Sequence, residues 1–352
     1  MTGASDGGQL PPVDAGPGTE PAPAPASGTE PAPAFGPVRP GLFGLEGRAA
    51  PGLYLVGWIA TLLGGGILFV SFAATVSGAS GWLFLAGIVF LGIGLVAAAG
   101  SQAIERGRQP ELPYRGPSPV LTFLVVVCFT FVALIGVLAP LSALGLDARS
   151  PAATTVNLAL TTLLYVGVIR LLVVGPGSLS WRDMGVVRPG SGDVRDLLVG
   201  AIFAIPVLVV TVALGLVLSR FLVPAPSVLP PASGPAGILA NLLSAAVLAP
   251  IGEEIFFRGF ATTAWARAYG ARSAIVRGAI FFAFAHVVTL VDASFAEGAS
   301  RALYSFLVLL PVSVVLGWVF LGRRSLYAAI GLHAAFNAVQ VLVLGVATGM
   351  IR

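Results

Sequence analysis

Ala249-Pro250-Ile251-Gly252-Glu253-Glu254-Ile255-Phe256-Phe257-Arg258-Gly259 places three formal charges inside a helix that otherwise reads as a membrane span. An ionisable residue within a span costs roughly 2.5–3.5 kcal/mol on insertion scales, so such residues are rare unless they are paired or functional. The two histidines of the protein, His286 and His333, lie in apolar stretches downstream. We therefore expect these three stretches to converge on one buried site.

The composition around this stretch is that of a membrane protein. The chain is 57% hydrophobic and 10% charged, against about 25% charged residues in soluble globular domains. Apolar runs recur from Leu53 to the C-terminus, which is typical of a polytopic helical membrane protein. We predict an all-α transmembrane bundle of about eight or nine spans, placed near residues 53–76, 82–104, 119–144, 153–174, 197–222, 237–266, 276–292, 302–321 and 326–349. The seventh is short, because a crossing takes roughly 20 apolar residues.

Other features narrow the class of protein further. Every Lys/Arg-type basic residue of the chain is an arginine. The net charge of +4 gives no indication of nucleic-acid binding in a membrane protein. The single cysteine, Cys128, excludes an intrachain disulfide and a thiolate metal site. Residues 1–50 are rich in Pro, Ala and Gly, and the heptapeptide at 18–24 recurs at 28–34. Such low-complexity sequence cannot bury enough apolar surface to fold, so we predict a disordered tail.

The placement of arginine predicts the orientation. The tail and the loops after the even-numbered spans carry most of the charge near the spans: Arg48, Arg106, Arg108, Arg115, Arg182, Arg188, Arg195, Arg267, Arg272, Arg277, Arg323 and Arg324. The opposite loops hold Arg149, Arg220 and Arg301. By the positive-inside rule the N-terminus is cytoplasmic. We expect a multi-pass protein of the cell membrane, with Trp181 in a long cytoplasmic loop as a membrane-surface anchor.

Helical spacing places the three charged residues on two different faces of the helix. Glu254 and Arg258 are four residues apart, so they share a face and can pair across one turn. Glu253 is offset from Glu254 by about 100° at 3.6 residues per turn. One carboxylate is thus neutralised by arginine, and the other stays free for general-base catalysis.

The two histidines each share a helix face with a second side chain. Phe282 and His286 are four apart, as are His333 and Asn337. Counted from the cytoplasmic ends of their spans, His286 lies roughly 15 Å deep and His333 roughly 10 Å deep at 1.5 Å per residue. Glu253 falls in the same zone, so all three stretches can meet at one level nearer the cytoplasm.

Each feature also has a purely structural interpretation. A buried Glu–Arg pair can clamp a bundle, an intramembrane histidine is often a packing residue, and an asparagine in a span often joins helices. The conjunction of the two histidines with adjacent carboxylates at compatible depth favours a functional site. Two other functions remain open: a proton-linked transporter, in which the Glu/His cluster relays protons, and a non-catalytic membrane scaffold or immunity protein.

These motifs resemble the intramembrane CAAX proteases and bacteriocin-processing enzymes, the CPBP or Abi family. The family pattern is Glu-Glu-x-x-x-Arg, then Phe-x-x-x-His, then His-x-x-x-Asn or Asp. Here it is matched, in that order, by Glu253, Glu254 and Arg258, by Phe282 and His286, and by His333 and Asn337. The resemblance covers roughly residues 175–349. It divides the chain into a tail (1–50), N-terminal transmembrane helices (51–174) and a catalytic transmembrane core (175–352).

The resemblance implies an intramembrane endopeptidase that hydrolyses a CAAX-like or bacteriocin-type membrane-associated substrate, with or without a lipid. Glu253 with His286 would activate the water, and His333 with Asn337 would stabilise the oxyanion. Glu254 and Arg258 would support Glu253, and Gly252 and Gly259 would let neighbouring helices approach. Glu253, His286 and His333 also match a catalytic zinc site, so the cofactor is either absent or one divalent metal ion. A metal-free glutamate mechanism is favoured slightly, because metal ligation leaves the site short of a base.

Overall fold

The computed structural model describes residues 44–73, 80–226, 230, 234–288 and 294–347. From Arg48 onward the chain forms one compact unit. Nine helices are present in the described parts of the chain: α1 (Pro51–Ala73), α2 (Ser80–Gly107), α3 (Pro119–Ala143), α4 (Pro151–Val174), α5 (Ser191–Leu218), α6 (Gly234–Tyr269), α7 (Ala271–Val287), α8 (Phe295–Arg323) and α9 (Leu326–Ala347).

Eight of these helices are long and apolar enough to cross a membrane, and α7, with 17 residues, is the exception. The predicted all-α polytopic bundle of eight or nine spans is confirmed. Residues 1–43 of the predicted disordered tail lie outside the described residues. The division of the membrane part at residue 174 stays a prediction.

Helices α4 and α6 run side by side in the same direction. Thr155 near the start of α4 meets Ser244 with 2.8 Å between the hydroxyl oxygens, and further along Thr162 donates a hydrogen bond to the Leu248 carbonyl at 2.9 Å. Parallel packing of spans four and six requires the chain to cross the membrane once more between them. The predicted order of spans agrees with this, because span five crosses the membrane between them.

Helices α5 and α9 run in the same direction, because Tyr327 at the start of α9 donates a hydrogen bond to the Val187 carbonyl just before α5. The two helices approach each other through glycine. A Cβ atom built on Gly200 would lie 1.9 Å from the Ala328 carbonyl oxygen, and one on Gly331 would lie 2.0 Å from the Leu197 carbonyl oxygen. Without a side chain at either position the two backbones come into direct contact. This contact fixes the segment of α9 that carries His333.

A sharp turn joins α6 to α7. Gly270, the residue between them, has φ of 81°, a left-handed conformation that suits glycine. Helix α7 therefore folds back beside the end of α6, and Phe281 and Phe282 of α7 pack against Phe257 of α6 at ring-centroid distances of 5.4 and 5.1 Å. The turn brings His286 to the level of the carboxylates.

Candidate active site

The two adjacent carboxylates lie on a short α-helical turn within α6. Residues Ala249–Glu254 are α-helical, whereas Leu243–Leu248 before them and Ile255–Thr262 after them are wound as π-helix. Single-turn π-helical segments are rare and often occur at functional sites, because they rotate side chains away from the regular helical register. The turn that carries Glu253 and Glu254 is therefore set apart from the rest of the span.

Glu254 joins α6 to α9 through a buried ion pair. One of its oxygens, Oε1, accepts a hydrogen bond from Arg258 at 3.0 Å and another from Nδ1 of His333 at 2.8 Å. Glu254 is fully buried, and Arg258 is 2% exposed. The Arg258 guanidinium also lies 4.1 Å from the centre of the Phe282 ring. The expected pair across one helical turn is formed, and it extends to a histidine on another helix.

Glu253 faces both imidazoles. Its Oε2 lies 3.5 Å from Nε2 of His286 and 4.0 Å from Nε2 of His333. Among the described residues, this buried oxygen has no hydrogen-bond partner. An acceptor oxygen held beside two imidazoles without a direct bond has the surroundings of a water-binding position.

The two histidines are oriented in the same manner. Nδ1 of His286 donates to the Phe282 carbonyl at 2.8 Å, and Nδ1 of His333 donates to the Glu254 carboxylate. In each ring this leaves Nε2 directed at Glu253. His286 is the more accessible of the two, with its side chain about one-third exposed, whereas that of His333 is almost fully buried.

Phe282 packs against both histidines, and Asn337 joins α9 to α6. The Phe282 ring contacts His286 with centroids 4.3 Å apart and His333 with centroids 5.7 Å apart. Asn337, one turn beyond His333, donates a hydrogen bond from its amide to the Ala245 carbonyl at 2.8 Å. That carbonyl belongs to the first π-helical segment. One amide proton of Asn337 therefore ties α9 to α6, and the amide carries a second proton.

Two contacts with the site were not predicted from the sequence. Gly252 packs against α4, where a Cβ atom would lie 3.0 Å from the Thr162 Cα. Gly259 faces the loop after α4 rather than a helix, and a Cβ atom there would lie 3.1 Å from the Met184 carbonyl oxygen. The glycines themselves were the signal for close approach, but the sequence does not reveal the partner.

The loop that contains Trp181 packs onto the protein. Met184 is fully buried, Trp181 is partly buried against the core, and Asp183 pairs with Arg267 of α6 at 2.8 Å. The pKa of Asp183 is lowered by a hydrogen bond from the Ser180 backbone and by the Arg267 charge. The loop thus holds the C-terminal end of α6 in place.

The donor atoms do not fit a metal centre as they are placed. Tetrahedral zinc with nitrogen and oxygen ligands at about 2.0–2.1 Å sets those ligands roughly 3.3 Å apart. The 4.0 Å between Glu253 and His333 is wider, and no group of three His, Cys, Asp or Glu side chains within the described residues is arranged to hold an ion. We therefore derive no step through a metal.

Taken together, the fold and the site define a polytopic helical membrane protein with a buried Glu/His cluster. Residues 235–339, less than a third of the chain, match the family model described as type II CAAX prenyl endopeptidase Rce1-like. The match spans α6 to α9, includes every motif residue, and is consistent with the resemblance to the CPBP proteases. Neither the curated proteins nor the solved structures gave a match.

Proposed function

We propose that the protein hydrolyses a peptide bond of a membrane-associated substrate with a water molecule activated by Glu253. One observation carries the proposal: the buried, unpartnered Oε2 of Glu253 lies beside the Nε2 atoms of both histidines, at 3.5 and 4.0 Å. A carboxylate in this position can accept a proton from a water held against His286.

Each residue then has a defined part in the reaction. Glu253 takes a proton from water, and the hydroxide adds to the scissile carbonyl carbon. The oxyanion that forms is stabilised by Asn337 and His333. The C–N bond breaks as Glu253 passes its proton to the departing nitrogen, which leaves a carboxylic acid and an amine. The acid then gives up its proton to the amine, and a carboxylate and an ammonium group are the products. Glu254 and Arg258 keep the His333 ring oriented throughout.

The charge balance of the cluster gives both imidazoles a part. Two carboxylates and one guanidinium, all close together, leave one net negative charge inside the protein. A proton shared between the imidazoles offsets it, since an uncompensated buried charge is costly. Both rings lie beside Glu253, and His333 also contacts Glu254.

The substrate proposed here is a CAAX-like or bacteriocin-type polypeptide presented from the membrane, with or without a lipid. The location supports it, because Glu253, His286 and His333 all belong to apolar helices of a multi-pass bundle. We further propose that the protein lies in the cell membrane with its N-terminus and arginine-rich loops in the cytoplasm.

The test uses the full-length protein reconstituted in liposomes. Its substrates are two fluorogenic peptides: one with a farnesylated C-terminal Cys-a-a-X sequence, and one with an apolar membrane-inserted segment. Glu253→Gln, which keeps the shape but removes the base, should lower kcat by on the order of 1,000-fold. Its melting temperature should remain near that of the wild type.

Glu297→Gln is the matched control, since Glu297 is an exposed carboxylate at the start of α8, and it should retain full activity. Full activity of Glu253→Gln would refute the proposal. If neither peptide is cleaved and a cellular phenotype is insensitive to Glu253→Gln, a scaffold or immunity role would replace it. Uptake that depends on a pH gradient would instead favour the transporter.

A further inference from the structure

The first π-helical segment of α6 is held by side chains from neighbouring helices. Ala249, which follows the segment, donates its backbone N–H to the Ser244 carbonyl five residues back. Pro250 comes next and has no N–H, so it cannot continue this pattern to the Ala245 carbonyl. Asn337 of α9 donates to that carbonyl instead, at 2.8 Å. A side chain from another helix thus supplies a donor that the backbone of α6 lacks.

Helix α4 contacts the same segment at both of its ends. Near the start of the segment, the hydroxyl oxygens of Thr155 and Ser244 lie 2.8 Å apart. At its last residue, Thr162 donates its hydroxyl proton to the Leu248 carbonyl at 2.9 Å. The two threonines are separated by about two turns of α4, so one face of this helix follows the whole segment.

Thr162 also touches the residue that precedes Glu253. A Cβ atom built on Gly252 would lie 2.7 Å from Thr162 Oγ1 and 3.1 Å from Thr162 Cβ. The hydroxyl therefore lies against both Leu248 and Gly252, which are the two ends of one α-helical turn. It meets α6 at the point where π-helical winding changes to α-helical winding.

We propose that Thr162 is a positioning residue, whose hydroxyl fixes the point at which the winding of α6 changes and thereby aims Glu253 at the histidines. A π-helical turn holds more residues than an α-helical turn, so a shift of this point rotates every side chain that follows it. The Oε2 atom of Glu253 lies 3.5 and 4.0 Å from the Nε2 atoms of His286 and His333. A rotation of the carboxylate turn changes both distances.

The inference rests on the proposed endopeptidase function and adds a residue that none of the three motifs contains. Thr162 lies outside residues 235–339, which match the family model. Helix α4 is then a necessary part of the active site, although it contributes no reacting group.

Thr162→Val tests the proposal in the liposome assay, because it removes the hydroxyl and keeps a branched side chain. With Glu253 displaced, kcat should fall on the order of 10- to 100-fold. KM should stay near the wild-type value, since the substrate does not contact Thr162. Thr162→Ser keeps the hydroxyl without the methyl group and should recover most of kcat. All rates are measured below the melting temperature of every variant, so that equal amounts of folded protein are compared.

Thr161→Val is the matched control. Thr161 is the neighbouring threonine, is half-buried like Thr162, and donates its hydroxyl proton to Asn157 of α4 at 3.4 Å rather than to α6. Its replacement should leave kcat unchanged. If Thr162→Val is too unstable to assay, Thr162→Ala removes the same hydroxyl and also leaves more room beside Gly252. It should show the same loss of kcat.

A purely structural role predicts a lower melting temperature with wild-type kcat in the folded protein. Wild-type kcat in Thr162→Val or Thr162→Ala would therefore overturn the proposal. An equal loss in Thr162→Ser would assign the effect to the methyl group instead, and an equal loss in Thr161→Val would make it a general property of α4; either result contradicts the positioning role.

The outcome is distinct from failure of the protease function. If the wild type cleaves a peptide, Glu253→Gln is inactive and the Thr162 variants behave as wild type, only the positioning role is lost. If the wild type cleaves neither peptide, the proposed function fails first, and the role of Thr162 falls with it.

Discussion

At the scale of single residues, Arg258 is the side chain on which most of the buried charge depends. It pairs with Glu254 at 3.0 Å, stacks on Phe282, and is almost fully buried. Glu254 in turn orients His333. Removal of the arginine therefore leaves the buried Glu254 carboxylate without a cation and removes the guanidinium that stacks on the Phe282 ring.

We expect Arg258→Met to destabilise the protein by about 3–5 kcal/mol, the cost of removing one partner from a buried ion pair. Arg258→Lys should have an intermediate effect, because an ammonium group keeps the charge but loses the planar stack on Phe282. Unfolding by denaturant in detergent micelles measures both.

The exposed Arg188 supplies the control, since Arg188→Met should change stability by no more than about 0.5 kcal/mol. If Arg258→Met proved as stable as the control, the ion pair would not be a stabilising element of the site.

The residues of the site were predictable to different extents. The Glu254–Arg258 pair follows from helical spacing, because both partners lie on one helix and the geometry is local. The hydrogen bond from His333 to Glu254 could not be predicted, since it depends on how α9 packs against α6. The expectation that Glu254 and Arg258 would support Glu253 did not include this histidine for that reason.

At the scale of helices, the contact between α5 and α9 determines where His333 stands. Gly331 is two residues before His333, and its backbone touches that of Leu197. No flexible side chain lies between the two helices at this point. An added methyl group can be accommodated only if the helices move apart.

Gly331→Ala should therefore destabilise the protein by roughly 1–3 kcal/mol, as overpacking does, and should also lower activity through displacement of His333. Gly65→Ala on α1 is the matched control, because a Cβ atom there has no neighbour within 4 Å. Alanine is the better helix former, so the control should be neutral or slightly stabilising. Melting temperatures measured side by side decide the matter: equal effects at the two positions would contradict the packing.

The helices were predicted well from the sequence, whereas their neighbours were not. Apolar runs of about 20 residues locate α1 to α6, α8 and α9 because the bilayer imposes that length. Proximity of α4 to α6 could not be read from the sequence, because a span lies between them in the chain. Gly252 indicated a close approach, and only the packed structure identifies Thr162 as its partner.

At the scale of the whole molecule, the direction in which α8 and α9 cross the membrane depends on the short helix α7. With 17 residues α7 rises about 25 Å, against roughly 30 Å of hydrocarbon. It nevertheless lies antiparallel to α8, since Ile275 near its start packs at Gly317 near the end of α8. Helix α8 has 29 residues and is long enough to cross. The start of α8 should therefore lie on the outer side.

Labelling with a membrane-impermeant thiol reagent tests this arrangement in intact cells. The native Cys128 is buried and is first replaced by alanine. New cysteines replace three exposed residues: Gln109 after α2, Ala148 between α3 and α4, and Glu297 at the start of α8. Ala148→Cys and Glu297→Cys should react in intact cells, whereas Gln109→Cys should react only after permeabilisation. If Glu297→Cys instead behaves like Gln109→Cys, then α7 does not carry the chain across, and α8 and α9 cross in the direction opposite to the one that the arginines predict.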